Sequence, residues 1–159
     1  MLKPLPSRPS LSPEASNRFA IVASRYNSEF VEPMLAKALE EIAAIEPNST
    51  SEVVHAPGSF EIPFLAGKMI ETGKPDAVIC LGVIFEGESA HAGLIASAIS
   101  DALCQLSVKT LTPVIHGVLL LKTKEQAQER CLGNKINRGT EAAYAAIEVL
   151  RTARSITTR

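Results

Sequence analysis

Four short, nearly unbroken apolar runs punctuate this chain, and each is followed by a stretch whose apolar residues recur at helical spacing. The runs are FAIVAS from Phe19, EVVHA to Ala56, DAVICLGVIF from Asp76 and PVIHGVLLL to Leu121. Continuous apolar segments of strand length suit a parallel sheet covered on both faces, because neither side of such a strand meets water. Strands alternating with helices imply right-handed crossovers, so the order reads strand–helix four times with one further helix at the end.

The helical stretches follow the same logic. Val31, Met34, Leu35, Ala38, Leu39 and Ile42 share one face, and this helix accommodates Pro33 if the proline lies in its first turn and ends before Pro47. After Pro57-Gly58, Ser59 is placed to cap a helix carrying Ile62, Leu65, Ala66, Met69 and Ile70, with Pro63 again near its start. Leu94, Ile95, Ala98, Ile99, Leu103 and Leu106 mark a third helix. A short one follows at 124–130 and a longer one from about Asn137 to Ala153.

Composition narrows the class further. With 159 residues, 46% hydrophobic and 21% charged, the chain is long enough for one full core without disulfides or a structural metal. Only 4% of residues are aromatic and none is Trp, so small aliphatic side chains must do the packing. A formal charge of −1 offers no basic footprint for nucleic acid, and no apolar run approaches a membrane span. Cys80, Cys104 and Cys131 are odd in number and far apart, which fits a reducing compartment better than a disulfide framework or zinc ligation. His55, His91 and His116 lack ligand spacing, so no metal site is expected. The opening segment carries four prolines and Glu14 but no apolar signal core. Residues 1–17 are therefore expected to form an irregular arm, residues 18–159 the α/β domain, and the location to be cytoplasmic.

In open α/β sheets, ligands bind beyond the carboxyl ends of the strands. This rule selects Arg25-Tyr26-Asn27, the segment from Pro57 to Glu61, the loop from Phe85 to His91, and the segment after Leu121. The third loop is the richest: Gly87 gives backbone freedom, a helix start offers free N–H groups and positive dipole, Ser89 adds a hydroxyl, and His91 can exchange protons near neutrality. The same residues would also serve as a plain helix cap. A G-x-S-x-H string is not a hydrolase elbow, and neither a Walker loop nor a dinucleotide fingerprint is present.

In sequence these blocks resemble the lumazine synthase family from about Phe19 to Leu150. The resemblance is carried by Ile21-Val22-Ala23-Ser24-Arg25-Tyr26-Asn27, by Pro57-Gly58-Ser59-Phe60-Glu61-Ile62-Pro63, by Gly82 through His91, by Pro113-Val114-Ile115 with Gly117-Val118-Leu119, and by Gln126-Ala127 with Glu129-Arg130. It implies a three-layer α/β/α, flavodoxin-like fold with a four-stranded parallel sheet. It also implies the condensation of 5-amino-6-(D-ribitylamino)uracil with 3,4-dihydroxy-2-butanone 4-phosphate in riboflavin biosynthesis, with no cofactor. On that resemblance Tyr26, Asn27, Ser59, Phe60, Glu61, Val83, Ile84, Phe85 and His116 bind the ribityl-pyrimidine. Glu88, Ser89 and Arg130 bind phosphate, with the Glu88 carboxylate turned away, and His91 moves protons. The family's sites lie between adjacent subunits of a pentamer or a multiple of pentamers, so a homo-oligomer is expected, with the segment around His116 and Arg130 supplied by a neighbour.

Three departures stand out. His116 occupies a position usually held by Phe and is expected to stack, Ala92-Gly93-Leu94 replaces a more aromatic stretch, and the 131–139 loop shifts its lysine to Lys135, which is given no site role. Two alternatives share the fold, an archaeal-type riboflavin synthase and a non-catalytic flavin- or lumazine-binding shell protein.

Overall fold

Strands β1 (Arg18–Ser24), β2 (Thr50–Ala56), β3 (Ala77–Phe85) and β4 (Val114–Leu121) form one parallel sheet in the order β2-β1-β3-β4. The computed structural model describes residue 3 and residues 5–157. Helices α1 (Ser28–Ile45), α2 (Ile62–Gly73), α3 (His91–Thr110), α4 (Lys124–Cys131) and α5 (Arg138–Thr157) complete the strand–helix order. The central strands β1 and β3 are buried almost throughout, as their unbroken apolar runs require, while β2 is exposed over its first half because it lies at an edge.

Two separate cores flank the sheet, which makes the architecture the expected three-layer α/β/α sandwich. On one face Phe19, Ile21, Ile79 and Leu81 pack with Met34 and Ile42 of α1 and Ile147 of α5. On the other, Val22, Val78 and Cys80 pack with Ile62 and Ala66 of α2 and Ile99 and Leu103 of α3. Alternation along each strand sends neighbouring residues to opposite cores. Gly139 lets α5 sit directly on α1, since a Cβ there would come within 1.9 Å of the Met34 carbonyl oxygen. Among the described residues no helix is long and apolar enough to cross a membrane.

Local signals were less reliable than the apolar pattern. Helix α1 starts at Ser28, so Pro33 falls in its second turn instead of its first. The missing Pro33 N–H leaves the carbonyl of Glu29, an exposed residue, without its usual helical donor. Ser59 does not cap α2: it opens a single 3-10 turn, Ser59–Glu61, and the carboxylate of Glu61 reaches back to the Gly58 N–H at 3.1 Å. Helix α5 begins at Arg138, capped by Asn137, whose Oδ1 accepts the N–H groups of Gly139 and Thr140 at 2.9 and 3.2 Å.

The described part of the N-terminal arm packs on its own chain. Pro9 is buried, the Ser12 N–H donates to the Ile45 carbonyl at 2.8 Å, and Arg151 of α5 bonds the Ser10 carbonyl and the Ser12 hydroxyl at 2.8 and 2.9 Å.

Candidate functional site

At the carboxyl ends of β1 and β3 the chain turns to opposite faces of the sheet, the switch point at which such folds open a crevice. Pairing of β1 with β3 stops at Ala23–Leu81, yet β3 runs on to Phe85, so its last residues stand without a β1 neighbour. A cleft of about 340 Å³ opens there, within the range of small-molecule sites. Tyr26, Asn27, Ser59, Phe60, Glu61, Val83, Ile84 and Phe85 all line it.

Its walls are held by short-range chemistry. Asn27 adopts a left-handed conformation (φ 59°) that turns β1 into α1, and its Nδ2 donates to the Val83 carbonyl at 2.7 Å. An Asn tolerates that backbone better than most residues, and its amide here ties the β1 loop to the end of β3. Ser24 Oγ donates to the Tyr26 carbonyl at 3.0 Å and fixes the same loop. Gly82 permits the Ser59 turn to lie against β3, because a Cβ there would come within 2.6 Å of Ser59 Oγ. A glycine inside an otherwise bulky apolar strand was the available sign of such a close approach. Tyr26 and Phe60 are 72% and 61% exposed beside the opening, two large rings that the core does not use.

A second cleft, about 390 Å³, runs along the outer edge of β4. His116 and Arg130 line it together with Arg138, Glu141 and the rest of β4 from Ile115 onward, and no residue lines both clefts. Arg130 sits in the last turn of α4, and its Nε is buried with no hydrogen-bond partner among the described residues. Arg138 pairs with Glu141. Both guanidinium charges favour the thiolate of neighbouring Cys131, but burial prevails and pushes that thiol up to about 11. His116 is bonded through both ring nitrogens, to Ser100 Oγ at 2.7 Å and to the Val118 N–H at 3.3 Å.

Glu88, Ser89 and His91 line neither cleft. They occupy an exposed loop and the first residue of α3, where the His91 N–H faces Ser89 Oγ at 3.5 Å. Gly87 meets nothing within 4 Å of a notional Cβ, while the Glu86 N–H before it is tied to the Leu121 carbonyl at 2.8 Å. His91 lies one helical turn before Ile95, which does line the first cleft, so the two residues share one face of α3. The histidines occupy three different settings, since His55 of β2 bonds Glu32 at 2.8 Å. Sequence reasoning passed over Ser100, Arg138 and Glu141, each of which resembles an ordinary helix-surface residue until its partner is known.

The sequence model of the 6,7-dimethyl-8-ribityllumazine synthase family matches residues 16–154 of the 159-residue chain. The chain belongs to that family. Lumazine synthases are transferases of riboflavin biosynthesis that act on small molecules, and the four-stranded parallel sheet with five helices agrees with their fold.

Proposed function

We propose that the protein condenses 5-amino-6-(D-ribitylamino)uracil with 3,4-dihydroxy-2-butanone 4-phosphate to give 6,7-dimethyl-8-ribityllumazine, phosphate and water. The observation that carries the reading is the composition of the first cleft: two exposed aromatic rings, a carboxylate with one oxygen uncommitted and a strand end without a β1 neighbour around one opening. Tyr26 and Phe60 offer flat apolar surface to a pyrimidine ring. Glu61 spends one oxygen on Gly58 and keeps the other for ribityl hydroxyls. The Val83–Phe85 backbone bonds the edge of the ring, with Asn27 holding that strand end in place.

In this reading the butanone phosphate lies between the start of α3 and Arg130. Free N–H groups and the helix dipole at His91 favour an anion, Ser89 adds a hydroxyl, and the exposed Glu88 carboxylate turns to solvent. Arg130 supplies a permanent charge, and it lines the β4 cleft. His91 passes protons during imine formation, phosphate elimination and ring closure. Holding both substrates together supplies much of the acceleration.

The same reading makes the site a joint one, with the first cleft of one subunit closed by the β4 cleft of its neighbour in a pentamer or a multiple of pentamers. Two features support this: the clefts have no lining residue in common, and the charge needed for phosphate stands in the second. A cytoplasmic location accords with three free cysteines.

The test is to supply both substrates to purified protein and follow lumazine by absorbance, fluorescence and mass, with inorganic phosphate in parallel. Equimolar lumazine and phosphate are expected. Tight binding of the ribityl-pyrimidine without lumazine would instead favour a binding or shell protein, and consumption of added lumazine would favour a riboflavin synthase.

A further inference from the structure

The His116 ring belongs to a directed chain of hydrogen bonds, and the direction can be read from the groups themselves. The Val118 backbone N–H can only donate, so Nδ1 of His116 accepts, at 3.3 Å. The Ala96 carbonyl can only accept, so Ser100 Oγ donates its proton there, at 2.8 Å. Ser100 Oγ is then left as acceptor toward His116 Nε2, at 2.7 Å, and Nε2 carries the ring proton. Ala96 and Ser100 lie one turn apart on α3, while His116 and Val118 lie on β4, so the chain bridges helix and sheet edge.

That edge explains why the chain is there. On β4 alternate backbone groups face β3, as the Pro113 and Leu121 carbonyls do toward Val78 and Glu86, and the intervening ones face away from the sheet. Val114 and Val118 belong to the outward set. Ser107 Oγ takes the Val114 N–H at 3.2 Å, and the His116 ring takes that of Val118. Two of the outward donors of this open strand, those of Val114 and Val118, are thus satisfied from within the chain.

We propose that Ser100 is a positioning residue that holds His116 as its Nε2–H tautomer with both ring nitrogens engaged, so that only the faces of the ring remain for a ligand in the β4 cleft. Resting on the proposed reaction, this makes His116 a stacking surface for the pyrimidine. Nδ1 has no free lone pair to receive a proton and Nε2 has its proton committed to Ser100. Both ring nitrogens are thereby engaged within the chain, and the proton movement of the proposed reaction is left to His91. Ser100 acts only through His116.

The test uses full-length protein labelled with 15N-histidine, whose ring signals are assigned by comparison with His116→Phe. Magic-angle-spinning NMR should show His116 with an unprotonated Nδ1 and a protonated Nε2. Ser100→Ala should blur that signature and raise KM for the ribityl-pyrimidine about fivefold with kcat little changed, while Ser100→Thr, which keeps the hydroxyl and its bond back to the i−4 carbonyl, should restore both. In a His116→Phe background, Ser100→Ala should change nothing, because the ring it positions is gone. A His116 protonated on Nδ1, or an equal KM effect of Ser100→Ala with and without His116, would overturn the proposal. Should the wild type form no lumazine, the functional reading fails, and the tautomer measurement still decides the Ser100 role.

Discussion

In the first cleft the groups that shape the walls find partners inside the chain: Asn27 on Val83, Glu61 on Gly58, Ser24 on Tyr26. Along β4 the balance differs, since His116 is bonded on both nitrogens but Arg130 Nε is buried with no partner among the described residues. A surface whose walls are held in place by such bonds is ready to receive a neutral, hydroxyl-rich ligand without reorganising. One lined by the Arg130 guanidinium offers fixed positive charge to an anion. Under the proposed function the contrast suits the pyrimidine to the first cleft, with His116 of the β4 cleft stacked on it, and the phosphate to the Arg130 side.

The largest expected effect is therefore at Arg130. Arg130→Ala should lower kcat/KM for the butanone phosphate by roughly 30- to 1,000-fold, the range for removing a charge from a desolvated anion site, and leave equilibrium binding of the ribityl-pyrimidine nearly intact. Equal losses for both substrates would erase the division between the clefts. Next comes the first cleft's scaffold. Gly82→Ala forces a Cβ toward Ser59 Oγ and should destabilise the fold by about 1–3 kcal/mol while weakening pyrimidine binding, read by denaturant melts and titration. Asn27→Ala removes the tie to Val83 and puts Ala in a left-handed conformation, for an expected loss of about 2 kcal/mol.

His91→Ala should have a smaller effect than Arg130→Ala on turnover, below the roughly 10²–10⁴-fold typical of a general acid–base residue, because proximity supplies much of the rate. Steady-state kinetics with both substrates saturating would measure it. Last comes a core effect that lies outside both clefts. Burial pushes the Cys80 thiol from about 9 to about 12, so at high pH the unfolded chain releases a proton that the folded chain keeps. Stability should then be unaffected by this group below pH 9 and fall above it, by up to about 1.4 kcal/mol per pH unit, and Cys80→Ala should flatten that slope in pH-dependent melts.

The sheet and its helices were legible because burial on both faces leaves a trace in every residue of a strand. FAIVAS and DAVICLGVIF announce β1 and β3 without help from the rest of the chain. The first cleft was also within reach, since the topology rule picks out loop ends and Tyr26, Phe60 and Glu61 stand on them. What could not be read were pairings between distant segments. Ser100 meets His116 across 16 positions and Arg151 meets Ser10 across 141, and nothing in either neighbourhood marks the partner. Pro33 was misplaced for a related reason: the start of α1 is set by the left-handed turn at Asn27 and its bond to β3, not by the local preference of proline.

Subunit mixing decides whether one site draws on two chains. Glu61→Ala disables the first cleft and Arg130→Ala the second, and the two variants would be unfolded, mixed in equal amounts and refolded together. If each site pairs one subunit's first cleft with its neighbour's β4 cleft, random assembly restores about a quarter of wild-type activity, because that fraction of interfaces joins two intact halves in a head-to-tail ring. If both clefts of one chain serve one site, every site carries a defect and the mixture stays as inactive as its components.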